Sequence, residues 1–231
     1  MIGIICAMQI EADGLLSLAK NKETKTIAKM NFTKCTLFDK EVVIVICGCG
    51  KVNAAMCTLA LIHNYNPDVI INSGVAGSLS ERVTIGDIVV ATKSVEHDMN
   101  TTALGDKQGE VSFPDGTIMY FDCDYKTTKL LADVCRSIPD TRVETGIIAS
   151  GDMFVSERKK RLLIKERFDA LACEMEGAAI GHVCNRCDVP YTILRAISDD
   201  LDENKGMDFV KFCELASRKT VTAICEFIKQ V

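Results

Sequence analysis

Six short runs rich in β-branched residues recur along the 231-residue chain, at positions 2–6, 42–47, 69–72, 88–91, 145–150 and 191–197. Most are apolar at successive positions rather than at alternate ones. A strand with one wet face alternates; a strand apolar on both faces has to be covered on both. These runs therefore predict strands held between two helical layers. A seventh run, 32–38, closes on Asp39-Lys40 and predicts an antiparallel partner for 42–47. Helical patterns fill the gaps. Residues 51–65 are Ala-rich and stop at Asn66-Pro67. Residues 156–168 predict a helix with Ser156 as N-cap and basic residues set among Leu162, Leu163 and Ile164. Residues 174–187 hold the small Gly177, Ala178, Ala179 and Gly181, and 208–229 form a long amphipathic finish. Strands alternating with helices make a three-layer α/β fold, expected as one domain over residues 1–231.

Composition closes off other classes. With 48% hydrophobic and 26% charged residues, the chain has enough apolar surface to leave the disordered state. The net charge of −5, one basic run at 158–161 and the absence of Trp argue against a nucleic-acid partner. The 12 cysteines are scattered, and Cys6, Cys47 and Cys225 sit inside apolar elements, where a free thiol acts as a small hydrophobe. The opening residues carry no positive segment, and no apolar run approaches the ~20 residues of a membrane span. A reduced, cytoplasmic protein without membrane contact is expected.

In open α/β sheets, ligands bind beyond the carboxyl ends of the strands. The expected exits here are chemically rich: Met8-Gln9-Ile10-Glu11, Cys47-Gly48-Cys49-Gly50-Lys51, Asn72 to Ser78, Ser150-Gly151-Asp152-Met153-Phe154, and Arg195 to Asp200. Any one alone reads as a tight connection; all on one sheet edge predict a site. Glu174-Met175-Glu176 is expected to open a helix. Residues two apart on a helix point ~200° apart, so only one of the glutamates would face the site. Asp199 and Asp200 pose the same choice. Cys184 and Cys187 form a CxxC without the second pair that a structural zinc needs. His97-Asp98 reads as an acid/base pair or as a structural contact. No Walker or GxGxxG motif is present, and no cofactor is expected. Residues 98–121 fit no regular element, carrying Gly105, Gly109, Pro114 and Gly116 together with Leu104, Phe113, Met119, Tyr120 and Phe121.

The order of these motifs resembles the nucleoside phosphorylase/nucleosidase superfamily, and within it the 5′-methylthioadenosine/S-adenosylhomocysteine nucleosidases. The resemblance is carried by residues 3–8 with Glu11, by 48–55, 67–77 and 86–90, and by His97-Asp98, Ser150-Gly151-Asp152, Glu174-Met175-Glu176 and Arg195-Ala196-Ile197-Ser198-Asp199. It implies a central mixed, partly barrel-like sheet flanked by helices, a nucleoside substrate, no cofactor and a homodimer. It also implies catalytic roles for Glu11, which would activate water, and Asp199, which would meet purine N7 with Ser198 orienting it. Glu174, Met175, Glu176 and Arg195 would surround the ribose. Phe154 and Val155 would meet the adenine, and Met8, Cys49 and Phe209 the 5′ tail. Val75 stands where many relatives carry Ser or Thr, Cys49 where they carry a bulkier aliphatic, and Leu104 where they often carry an aromatic.

The chemistry suits these residue types. Adenine leaves badly as an anion, so N7 needs a proton, and Asp199 would have to carry one in the complex. The ribose becomes cation-like, which suits Glu176, and water then needs a placed base. Three readings stay open: a hydrolase, a phosphate-using purine nucleoside phosphorylase, and a binding protein without catalysis. Among hydrolases, an aminodeoxyfutalosine nucleosidase is the alternative. Glu11 at the first exit would repel phosphate, and among the motifs Arg195 alone offers a cation that matches it, with Arg82 a distant candidate.

Overall fold

In the computed structural model, which describes residues 1–199 and 209–231 and side chains from 212 onward in the last helix, the apolar runs join in one large sheet. In chain order the elements are β1 (Ile2–Cys6), α1 (Gln9–Leu18), β2 (Lys20–Ile27), β3 (Met30–Leu37), β4 (Lys40–Ile46), α2 (Lys51–Tyr65), β5 (Val69–Ser78), β6 (Ile88–Glu96), β7 (Val111–Phe113), β8 (Gly116–Ile118), β9 (Phe121–Asp122), α3 (Tyr125–Arg136), β10 (Val143–Ser150), α4 (Arg158–Phe168), β11 (Ala170–Glu174), α5 (Gly177–Arg186), β12 (Tyr191–Asp199) and α6 (Phe209–Ile228).

The sheet runs β11-β10-β6-β12-β5-β1-β4-β3-β2. β11 also pairs antiparallel with the end of β5, through Cys173–Gly77 and Ala172–Ser78. Five strands (β11, β10, β6, β12 and β5) thus close on themselves as a barrel, while β1, β4, β3 and β2 continue as an open wing. The sheet is mixed: β12 is parallel to β5 and antiparallel to β6. Closure depends on the length of β5. The expected exit after Asn72 is in fact continued strand, and Ser73, Gly74, Ala76 and Gly77 are small enough for it to bend around the barrel.

β1 shows why runs apolar on both faces belong here. Ile4 belongs to the core cluster that holds Leu15, Leu131 and Ile224 of α1, α3 and α6, whereas Ile5 belongs to the one that holds Leu61 and Ile180 of α2 and α5. Each such side chain, fully buried, contributes about 1.5–3 kcal/mol. β3 and β4 pair antiparallel, Phe32 opposite Val45, as their sequence predicts.

Some boundaries differ. The helix expected from Ser156 begins at Arg158 with Glu157 as its N-cap, because the Ser156 N–H donates back to the Phe154 carbonyl in a turn. β2 is polar and exposed along most of its length, so no apolar run announces it. Residues 98–121 contain the β7–β8 hairpin and the first residue of β9. Phe121 is fully buried, and Phe113 packs edge-on against His182 beneath the Arg186 guanidinium. Of the apolar side chains in this segment, Leu104 stays exposed, at 83%.

Candidate active site

The strand ends meet around one open cavity of about 210 Å³. Met8, Glu11, Cys49, Val75, Phe154, Glu174, Met175, Glu176, Ser198 and Asp199 all line it, with Ala7, Ala76, Gly77 and Cys173. Phe209 opens α6, but its side chain lies outside the described residues, as does Asp200. Val155 is buried to one side and lines a neighbouring cavity instead. Its carbonyl accepts from Arg161 Nε at 2.8 Å.

Glu11 sits in the first turn of α1, yet its carboxylate points back at the sheet. Oε2 accepts the N–H groups of Ala7 and Met8, both at 2.9 Å, and Oε1 accepts that of Val75 at 3.0 Å. Three amides therefore fix a carboxylate that is 1% exposed. Gly74 makes room for it: a Cβ there would stand 2.1 Å from Arg195 Nη1 and 2.3 Å from Glu11 Oε1. Val75 offers no side-chain hydrogen bond, so its contribution to the site is this backbone N–H.

Arg195, in the middle of β12, is buried among three carboxylates. Nη2 donates to Glu174 Oε2 and to Asn72 Oδ1, Glu176 Oε2 lies 3.6 Å from Nη2, and Glu11 Oε1 lies 4.0 Å from Nη1. Burial opposes its charge, but Glu174, Glu176 and Glu11 outweigh that and push its pKa up.

The reading of Glu174-Met175-Glu176 as a helix start is corrected. Glu174 ends β11, Glu176 is the N-cap of α5, and the helix begins at Gly177. Helical spacing therefore does not apply, and both glutamates face inward. Glu174 accepts from Ser150 Oγ, from Arg195 and from the Glu176 and Gly177 N–H groups, which makes it a brace. Glu176 accepts the Gly50 N–H at 2.8 Å and is otherwise turned to the cavity. Burial, with repulsion from Glu174 added, pushes its carboxyl up to about 7.

The Gly50 N–H is itself held in place. Gly50 has φ +96, a conformation that favours glycine. The next residue, Lys51, bonds Glu96 at 3.0 Å and Asp98 at 2.7 Å through Nζ, and Asp152 at 2.7 Å through its N–H. His182 Nδ1 bonds the other oxygen of Glu96 at 2.8 Å. Asp98 is thus engaged by Lys51 and by the Asp152 N–H beside the site.

Asp199 ends β12 across a bulge: Ile197 faces Ala76 and Asp199 faces Gly77, leaving Ser198 as the extra residue. Bulges re-aim side chains. Ser198 Oγ donates to Asp199 Oδ1 at 2.8 Å, as expected, and Arg161 Nη2 donates to Oδ2. Sequence reasoning placed Arg161 in a surface basic run and missed it. The signal was its register, since Arg161, Ile164 and Phe168 share one face of α4 at i, i+3 and i+7. Arg82, the other cation considered, pairs with Glu144 at 2.6 Å, its own side chain largely in solvent.

The phosphorylase superfamily model matches residues 1–229. A 5′-methylthioadenosine/S-adenosylhomocysteine nucleosidase of Exiguobacterium sp. is 36% identical over 233 residues, covering 99% of each chain. The solved nucleosidase of that name from Neisseria meningitidis, in complex with methylthio-immucillin-A, superposes with a TM-score of 0.92 at 31% identity, over 100% of this chain and 99% of that one. A futalosine hydrolase of Helicobacter pylori strain 26695 superposes with a TM-score of 0.92 at 29% identity, over 100% and 97% of the two chains.

Proposed function

The chain belongs to the phosphorylase superfamily, and on that premise we propose that it hydrolyses the N-glycosidic bond of 5′-methylthioadenosine, S-adenosylhomocysteine and related 5′-substituted adenosines. The products are adenine and the thioribose. The relatives carrying that name support the reading along the whole chain. Within the site, one observation carries it: a buried carboxylate, Glu11, fixed by three amides where a nucleophile would stand, with two more carboxylates behind it. A phosphate dianion needs cations and open amides. Here Arg195 is committed to Glu174, and the amides are spent on Glu11. Water suits such a site.

The roles then follow from chemistry. Glu11 takes the proton of the attacking water. Glu176 accepts the ribose hydroxyls, and with Met175 it faces the cation that develops at C1′. Asp199, aligned by Ser198, protonates N7 so that adenine leaves neutral. Phe154 stacks on the purine, and Val155 offers its backbone N–H, its carbonyl being engaged by Arg161. Met8, Cys49 and Phe209 enclose the 5′ tail. The resemblance to a futalosine hydrolase supports a second substrate, 6-amino-6-deoxyfutalosine, at the same site.

Residues 1–231 act as one cytoplasmic domain, and two copies pair. Exposed apolar side chains, Val52, Met56 and Leu59 along α2, Leu104, Met153, and Phe154 at the cavity, support a second copy as a cover. The direct test is adenine release from methylthioadenosine with and without phosphate. Equal rates are expected; release that requires phosphate would overturn hydrolysis in favour of phosphorolysis.

A further inference from the structure

Asp199 does not face the cavity alone. Arg161, buried at the start of α4, reaches past the end of β5: Nε donates to the Val155 carbonyl at 2.8 Å, Nη1 to the Ser78 carbonyl at 3.4 Å, and Nη2 to Asp199 Oδ2. Ser198 Oγ occupies the other oxygen at 2.8 Å. Both Asp199 oxygens are therefore acceptors. Protonating a purine needs the opposite, a carboxylic acid whose O–H donates. The other titratable groups around Asp199, among the described residues, are Glu11, Glu174 and Glu176 across the same cavity and the thiols of Cys173 on β11 and Cys213 on α6. Burial pushes Cys173 up to about 12 and Cys213 up to about 11, so both stay neutral in the working range.

We propose that Arg161 is a positioning residue that pairs with Asp199 Oδ2 at rest, and that this ion pair opens as the purine seats. The proposal rests on the hydrolytic reading above. A proton from solvent binds Asp199 as the Arg161 contact opens. The O–H bond then breaks and N7–H forms, while C1′–N9 breaks with its electron pair passing into adenine, and C1′–O forms to the water whose proton Glu11 takes. Asp199 returns as carboxylate to Arg161, and the proton that Glu11 takes from water returns to solvent. Gly77 leaves room for the exchange: a Cβ there would stand 2.9 Å from Asp199 Oδ2 and 3.4 Å from Arg161 Nη2. The pair thus opposes the proton that this step needs on Asp199 Oδ2. Its removal extends activity to higher pH.

The test is the pH profile of kcat/KM for adenine release, which reports the free enzyme's essential acid and base. Wild type, Arg161→Gln, Arg161→Met and Arg161→Lys are compared, with melting curves to verify folding. In the Gln and Met variants the alkaline limb moves up by about one pH unit or more, the usual scale for a close opposite charge. The Lys variant, which keeps the charge, stays at the wild-type position. Folded Gln and Met variants with an unmoved limb would overturn the proposal, since a purely structural Arg161 changes rate without changing the profile. A Lys variant that moves with them would overturn it too. Wild type that releases no adenine would instead sink the hydrolytic reading on which the proposal stands.

Discussion

Glu11 and Asp199 stand on separate elements and do separate jobs, so each should be indispensable. Glu11→Gln and Asp199→Asn are each expected to lower turnover by ~100-fold or more, measured as adenine release under saturating substrate. Glu176 behaves differently, because its carboxyl is pushed up to about 7 by burial and by Glu174. The folded state then binds its proton more tightly than the unfolded chain does. The associated stability is complete below the ordinary glutamate range and is lost as pH rises through about 7. Glu176→Gln should thus gain on the order of 2 kcal/mol over wild type near pH 8 and little near pH 5, while losing activity. Melting curves at the two pH values check this; an equal shift at both would contradict it. Glu11 and Asp199 were legible in the sequence because each follows a recognisable strand. Arg161 was not, because a buried cation inside Arg158-Lys159-Lys160-Arg161 looks like its solvated neighbours until its register with Phe168 is considered.

Elements position these residues through their ends. α2 begins at Lys51, whose ties to Glu96, Asp98 and Asp152 set the Gly50 N–H on Glu176. Lys51→Met leaves two mostly covered carboxylates without their shared cation. A loss of about 2 kcal/mol is expected, less than the ~3–5 of a fully buried pair because solvent reaches part of the cluster. Urea midpoints measure it, and an unchanged midpoint would contradict the role given to the cluster. The strands apolar on both faces were legible because two helical layers leave no face wet. β2 was not, because it is an edge strand whose residues face solvent. Glu174-Met175-Glu176 was misread for a related reason. The segment has helix-forming residues, but Glu174 is held in β11 by pairing beside Ser150, and only Gly177 starts the helix.

At the scale of the molecule, barrel closure brings the site together: β11 meets β5 at Gly77, and that contact sets Glu174, Met175 and Glu176 opposite Asp199. The closure depends on a strand, β5, whose second half reads in sequence as a glycine turn, so no local pattern announced it. The pairing of copies belongs here as well. Light scattering at micromolar concentration should give about twice the monomer mass, and Leu104→Glu with Met56→Glu should halve it; a fully active monomer would contradict the proposed cover. The central claim is that water, activated at Glu11, is the nucleophile. Hydrolysis of methylthioadenosine in ¹⁸O-water, with phosphate present, tests it directly by mass spectrometry of the sugar product. The account predicts one ¹⁸O in the methylthioribose within a single turnover, before exchange at C1 can add it, and no sugar phosphate. An unlabelled sugar phosphate as the first product would contradict it.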